Sequence, residues 1–285
     1  MNATGRMTEV RKLLDAARQE GLRVGFVPTM GALHEGHRSL MRRARASNGF
    51  VVVNIFVNPT QFNATADLAA YPRTFADDLE ACAAEGVDLV FHPDESEIYP
   101  RPPSTRVLVE GVTSSMEGER RPGHFAGVAL VVAKLFNIVG PCTAYFGEKD
   151  AQQLRVVRRM VEDLDFPVDV VGCPTVRDAD GLALSSRNAR LKPDDRQRAL
   201  ALVAAFREIE RLVADGERGA AALTAAGRNV LERAALDGID YLEIVDPDTL
   251  EGLERVDGQA LVCGAVWVGD VRLIDNVLID ETKEH

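Results

Sequence analysis

Two imidazoles three positions apart give the first sign of chemistry: His34 and His37, in the run Pro28-Thr29-Met30-Gly31-Ala32-Leu33-His34-Glu35-Gly36-His37. In a helical turn that spacing puts both rings on one side. Gly31 and Gly36 let a backbone approach a ligand with no Cβ in between. The apolar run Val24-Gly25-Phe26-Val27 reads as a short buried strand, and Arg38 to Ala46 as a helix. A strand-to-helix junction of this kind leaves unpaired N–H groups and the positive end of a helix dipole aimed at one spot, which suits phosphate. A nucleoside triphosphate fits these features. A metal would need a third ligand from elsewhere, and no cysteine is near. A zinc-protease helix needs His-Glu-x-x-His, and His34-Glu35-Gly36-His37 is one residue short with a glycine inside. Two surface histidines in a turn is the bland alternative.

Three further polar stretches carry groups that could handle a charged substrate. Asn58-Pro59-Thr60-Gln61-Phe62 follows a Val-rich run, Gly147-Glu148-Lys149-Asp150 follows an apolar one, and Ser185-Ser186-Arg187 lies in the polar stretch Pro174 to Asn188. Taken singly, Lys149-Asp150 reads as a surface ion pair, Ser185-Ser186 as a helix cap and Gln61 as an exposed loop residue. Their joint occurrence at strand ends is what gives them weight, because ligands in open α/β sheets sit at the carboxyl edge of the strands.

The elements that must hold these stretches alternate. Thr8 caps a first helix that Gly21 stops; the central strand and its helix follow. Phe50 to Val57 reads as a strand covered on both faces, Phe75 to Gly86 as a helix and Val87 to Phe91 as a strand. Pro100-Arg101-Pro102-Pro103 is a rigid connector, Leu108 to Val112 a further strand, and Met116 to Phe125 a mobile loop beside the site. Gly127 to Val139 is apolar nearly all round and predicts a buried helix; Thr143 to Phe146 and Val168 to Val171 are strands flanking a helix that ends near Leu164. The pattern predicts an α/β, doubly wound parallel-sheet (Rossmann-like) N-terminal domain, residues 1–175. Beyond a change in composition near Thr175, helices over 194–214 and 220–235 and antiparallel strands over 241–245, 260–268 and 271–279 predict a smaller α+β C-terminal domain, residues 176–285. Neither GxGxxG nor GxxxxGK[ST] occurs, so the chain carries neither a dinucleotide fingerprint nor a Walker loop.

Composition narrows the function. The 285 residues are 46% hydrophobic and 27% charged, an ordinary globular balance. A net charge of −11 argues against nucleic acid as the main partner, though not against a nucleotide. Cys82, Cys142, Cys173 and Cys263 form no CxxC and read as reduced core residues of a cytosolic protein. The N-terminus shows no signal-peptide core, and the longest apolar stretch, 127–139, contains Lys134 and is too short for a bilayer. A cytoplasmic, non-membrane protein is the expectation.

With five blocks in order, the chain resembles the pantothenate synthetase (pantoate–β-alanine ligase) family. They are PTMGALHEGH at 28–37, NPTQF at 58–62, RPGHFAGVALVVAKLFNIV at 121–139, YFGEKDAQQLR at 145–155 and DGLALSSRN at 180–188. His34-x-Gly36-His37 alone points only to the wider group of nucleotidyltransferases related to class I aminoacyl-tRNA synthetases, in which Ser185-Ser186-Arg187 stands at the second signature loop. The resemblance implies ligation of (R)-pantoate and β-alanine through pantoyl adenylate, with ATP as co-substrate, Mg2+ accompanying it, AMP and pyrophosphate released, and a cytoplasmic homodimer. It implies a catalytic set of His34, His37, Lys149 and Arg187, with His37 as proton donor. ATP would be bound by Met30, Gly31, Ala32, Leu33, His34, Glu35, Gly36 and His37, by Gly147, Glu148, Lys149 and Asp150, and by Val176, Leu184, Ser185, Ser186 and Arg187. Lys149 and the 185–187 group would hold phosphates, Asp150 the ribose hydroxyls and Val176 the adenine. Gln61 and Gln153 would hold pantoate, Gln61 also β-alanine, with Asn58, Tyr71 and Arg121 around the pocket. Asp77 and Asp78 could touch magnesium, but their position reads as a solvated helix start.

The implied reaction also defines what the competitors lack. A carboxylate is already ionised at neutral pH, so adenylation needs positioning and charge neutralisation and no base. A nucleotidyltransferase acting on a phosphorylated acceptor would want more cations and no amine site. A catalytically dead nucleotide-binding regulator should have lost one of His34, His37, Lys149 and Arg187, and all four are present.

Overall fold

The computed structural model describes residues 1–63 and 65–280. Its elements run β1 (Asn2–Thr4), α1 (Met7–Gln19), β2 (Val24–Thr29), α2 (Glu35–Ser47), β3 (Phe50–Ile55), α3 (Thr65–Ala70), α4 (Phe75–Ala84), β4 (Leu89–Phe91), α5 (Glu95–Ile98), α6 (Met116–Arg120), α7 (His124–Val139), β5 (Cys142–Gly147), α8 (Ala151–Asp163), β6 (Val168–Cys173), α9 (Pro193–Ala214), α10 (Ala220–Arg233), β7 (Gly238–Val245), β8 (Gln259–Val268) and β9 (Val271–Asp280). Short 3-10 turns lie at Pro59–Gln61, Glu148–Asp150 and Ser186–Arg190.

The chain divides into two compact units that are not contiguous in sequence. The first holds Met1–Thr113, Arg121–Glu148 and Gln153–Val176; the second holds Ser114–Arg120, Lys149–Gln152 and Arg177–His285. In the first, six strands form a sheet in the order β1-β4-β3-β2-β5-β6, and every pairing is parallel. Parallel strands need helical crossovers, which cover both faces. The covering explains why β3 shows no polar alternation: Val51, Val52 and Val53 are all fully buried. Val27, Val51 and Val53 pack with Leu40, Met41 and Ala44 of α2. Phe26, of opposite parity, meets Phe136 of α7 edge-on, with ring centroids 6.3 Å apart. Strand order reverses beside β2, whose neighbours are β3 and β5, and the carboxyl edge at such a reversal is where ligands bind.

The second unit carries an antiparallel sheet β7-β8-β9. Leu202, Phe206 and Ile209 of α9 and Leu223 and Leu231 of α10 bury against Val262 and Val266 of β8. Each such side chain contributes roughly 1.5–3 kcal/mol of burial. The architecture is thus a doubly wound parallel α/β unit and a smaller α+β unit, the fold class expected.

Several elements differ from expectation. β1 is a three-residue edge strand, too short to leave a pattern. α1 starts at Met7, so Thr8 lies inside it and does not cap it. Residues 101–110 form no regular element and Leu108 is exposed; among the described residues the expected strand 108–112 does not form. Met116 to Phe125 is not one irregular loop. It contains α6 and the start of α7, and α6 is tied down by a buried ion pair between Glu117 and Arg272. Among the described residues all four cysteines are free; Cys142 is only half-buried. Burial pushes the Cys82 and Cys142 thiols up to about 12, so neither is a ready nucleophile.

Candidate active site

β2 runs directly into the His-x-x-His loop, and a buried carboxylate shapes that loop. Gly31 and Ala32 both take left-handed backbone conformations, at φ 83° and 50°. Successive residues of this kind turn their N–H groups into a small anion-binding concavity. The anion is Asp78 of α4. Its Oδ2 accepts from the Ala32 N–H at 3.0 Å, and its Oδ1 accepts from the Leu33 N–H at 2.8 Å and from Thr74 Oγ1 at 3.3 Å. A Cβ at position 31 would lie 2.9 Å from Asp78 Oδ2, so the loop requires glycine there. Ala32 lacks that freedom, and left-handed backbone costs a non-glycine residue about 1–3 kcal/mol unless its surroundings enforce it.

Asp78 therefore corrects the reading of a solvated helix start, since it is 2% exposed; Asp77 is exposed as expected. Asp78→Ala should lower the unfolding free energy by about 1–3 kcal/mol, because two buried N–H groups lose their acceptor. Asp77→Ala should change it by less than about 0.5 kcal/mol. Urea titrations of both variants check this, and equal effects would remove the role given to Asp78.

Several of the loop N–H groups already have acceptors within the protein. Besides those taken by Asp78, the Gly31 N–H donates to Thr29 Oγ1 at 3.2 Å, the His34 N–H to His37 Nδ1 at 3.3 Å and the Gly36 N–H to His34 Nδ1 at 3.2 Å. His34 is the N-cap of α2 and forms a reciprocal capping box with His37. A backbone N–H can only donate, so each Nδ1 is a bare lone pair and each neutral ring carries its proton on Nε2. The rings are tilted against each other with centroids 4.1 Å apart. Glu35 turns its side chain to Arg42, further along α2.

At the end of β3, Asn58 caps the turn Pro59–Gln61. Gln61 is buried, its Oε1 accepting from Asn58 Nδ2 at 3.0 Å and its Nε2 facing Met30 Sδ at 3.1 Å. Its carbonyl accepts from His124 Nδ1 at 2.8 Å and from Arg121 Nη2 at 3.4 Å, and Arg121 Nη1 reaches His124 Nε2 at 3.2 Å. A Cβ at Gly127 would collide with the Thr60 carbonyl oxygen, so only glycine lets α7 lie against this turn. Tyr71 is buried and meets Phe62 edge-on, centroids 5.9 Å apart. Met30, Gln61, Asn58 and Arg121 are therefore brought together, as are His34 and His37. Gly147, Glu148, Gln153 and Val176 belong to the same unit.

Lys149, Asp150 and Leu184 to Arg187 belong to the second unit. The Lys149 carbonyl accepts from Asn276 Nδ2 of β9 at 2.8 Å, and Arg177 forms a two-pronged pair with Asp275 beside it. Gln152 is buried, accepts from the Glu117 N–H at 3.0 Å and donates to the Ser115 carbonyl at 3.0 Å. Ser185 caps the turn Ser186–Arg190 through its Oγ, which accepts from the Arg187 N–H at 3.2 Å. Sequence reasoning missed Tyr99 and Asn276, whose partners Asn58 and Lys149 lie far away in the chain.

The pantoate-beta-alanine ligase family model matches residues 2–278. This chain belongs to the pantoate–β-alanine ligase family. It joins pantoate to β-alanine with the use of ATP. The pantothenate synthetase of Thermotoga neapolitana is 51% identical to it over 271 residues, which cover 95% of this chain and 97% of that one. The pantothenate synthetase of Moorella thermoacetica is 52% identical over 271 residues, 95% of this chain and 96% of the relative. A crystal structure of pantothenate synthetase from Thermus thermophilus superimposes with a TM-score of 0.92 at 47% identity, covering 97% of this chain and 99% of that one. A pantoate-β-alanine ligase from Francisella tularensis, complexed with β-γ ATP and β-alanine, gives a TM-score of 0.82 at 33% identity and covers 98% and 97% of the two chains.

Proposed function

We propose that the ligase works in two steps on one nucleotide. A pantoate carboxylate oxygen attacks the α-phosphorus of ATP, the bond from that phosphorus to pyrophosphate breaks, and pyrophosphate leaves. The β-alanine nitrogen then attacks the acyl carbon, the bond from that carbon to the phosphate oxygen breaks, a proton leaves the nitrogen, and AMP departs. The observation that carries the reading is the pair of imidazoles at the end of β2, each accepting a backbone N–H at Nδ1, which leaves Nε2 as the donating nitrogen. Such donors stabilise charge on the α-phosphate and the departing pyrophosphate, and by family resemblance His37 is the proton donor.

By family resemblance, Lys149, Ser185, Ser186 and Arg187 hold the phosphates and Asp150 the ribose hydroxyls. Met30, Gly31, Ala32, Leu33, Glu35, Gly36, Gly147, Glu148, Val176 and Leu184 line the rest of the nucleotide. Gln61 and Gln153 hold pantoate, and Gln61 also helps place β-alanine. Among the described residues no three or more His, Cys, Asp or Glu side chains converge as a metal cage, and both Asp78 oxygens are taken by N–H groups. In this reading magnesium arrives on the phosphates. Among the described residues no helix is long and apolar enough to cross a membrane. A cytoplasmic homodimer is part of the proposal on family resemblance alone.

Pyrophosphate exchange tests the reading. With pantoate and Mg-ATP but no β-alanine, the protein should exchange labelled pyrophosphate into ATP; β-alanine should then release AMP and pantothenate in equal amounts. Exchange that ignores pantoate, or release of ADP, would show that the reaction order is wrong.

A further inference from the structure

Two backbone groups set the polarity around Asn58. Its Nδ2 donates to the Gly127 carbonyl at 3.2 Å, which can only accept. Its Oδ1 accepts from the Thr60 N–H at 3.4 Å, which can only donate. Together they fix which way the Asn58 amide points. Two hydroxyls then complete the oxygen: Tyr99 OH donates to Oδ1 at 2.9 Å and Thr60 Oγ1 at 3.0 Å. The second Nδ2 proton goes to Gln61 Oε1 at 3.0 Å. Asn58 is 1% exposed, so these partners are shielded from bulk solvent.

The consequence falls on Gln61. A glutamine amide can normally present either a donor or an acceptor by turning over. Here its oxygen is held by Asn58, so its Nε2 is the end left for another partner, and it meets the Met30 sulfur at 3.1 Å. A thioether is a weak acceptor, readily replaced by an oxygen with full lone pairs.

We propose that Tyr99, by completing the acceptor side of an Asn58 amide whose direction the backbone sets, is a positioning residue that holds Gln61 in place as a one-way hydrogen-bond donor to the acceptor oxygens of pantoate. The inference rests on the placement of pantoate at Gln61. The Tyr99 ring is held in turn: the Lys134 ammonium sits 5.5 Å from its centroid, and Phe56 packs on it at 6.3 Å. Burial raises the Tyr99 phenol above its ordinary value, which keeps the O–H that donates to Asn58.

The test is a cycle of Tyr99→Phe and Gln61→Ala, read as KM values in the pantoate-dependent exchange reaction. Tyr99→Phe should raise the KM for pantoate roughly three- to tenfold, the worth of one buried hydrogen bond, and leave the KM for ATP within about twofold. In the Gln61→Ala background the same change should do nothing further to pantoate, because the residue through which it acts is gone. A merely structural tyrosine would raise the pantoate KM by the same factor in both backgrounds or move ATP equally; either result, or no effect at all, overturns the proposal. If Gln61→Ala leaves pantoate unchanged, the placement of pantoate falls and the inference with it. If Gln61→Ala weakens pantoate and Tyr99→Phe does not, only the inference falls. Should Tyr99→Phe fail to fold, Asn58→Ala is run through the same cycle with the same expected outcomes.

Discussion

Replacing His37 with alanine is expected to slow pyrophosphate release in a single turnover roughly 10²–10³-fold, the loss seen when one preorganised donor to a developing charge is removed. The expectation rests on where the proton is. His37 Nδ1 accepts from the His34 N–H, so its proton sits on Nε2 and the ring is a donor before substrate arrives. A donor held in place by the backbone needs no reorganisation during the reaction, which is why its removal should appear in the rate more than in nucleotide affinity. Alanine also strips the reciprocal cap from α2, so stability must be measured alongside. Loss of a helix cap costs about 0.5–2 kcal/mol, too little to unfold the chain. Lys149→Ala should fall in the same range of rate loss, since it removes a compact cation from the phosphates. A slowing of less than about threefold in both variants would take the triphosphate away from these residues.

What was legible in the sequence was what acts over a few residues. His34 and His37 are three apart, and the glycines and strand around them are adjacent, so the strand, turn and helix start could be read directly. The same holds for the run of valines in β3 and for the apolar α7. The reading failed where a partner is remote. The N–H groups at 32 and 33 looked available because nothing local takes them; their acceptor, Asp78, is 45 residues away from Leu33. Met116 to Phe125 looked loose because its charges and glycines are those of a solvated turn, while the arginine that buries Glu117 is 155 residues further on. Leu108 to Val112 failed in the opposite sense: the residues suit a strand, but a strand exists only where another pairs with it. Gln61 shows the intermediate case. Its type and place suggested a substrate contact, but the direction in which its amide points depends on Gly127 and Tyr99, which no spacing rule connects to it.

The largest expected loss of stability follows from the pair that overturned the loop. Arg272 of β9 donates to both oxygens of Glu117, at 2.8 and 2.7 Å, and through Nε to Asp240 at 2.6 Å, while Tyr241 OH donates to Glu117 at 2.9 Å. Burial works against the charge on Arg272, but Glu117 and Asp240 outweigh it and hold its pKa above the ordinary value. Burial, reinforced by Glu117, raises the Tyr241 phenol and keeps it a donor. Such a group is held together by mutual compensation, so removing one member leaves the others buried and unpaired. Arg272→Met should therefore destabilise the second unit by about 3–5 kcal/mol. Converting Glu117 as well should restore much of that loss. Arg272→Met with Glu117→Gln removes the more deeply buried of the two carboxylates and leaves Asp240 with the Trp267 N–H, and the new amide oxygen can still accept from Tyr241; a coupling of about 0.5–3 kcal/mol is the usual range for contacting groups. Trp267 makes the measurement direct: it is the only tryptophan, lies on β8 and donates its indole N–H to Asp240 at 3.1 Å. Urea unfolding followed by its fluorescence reports the unit that the pair holds. A double variant no more stable than Arg272→Met alone would show that packing around the arginine, and not charge compensation, anchors α6.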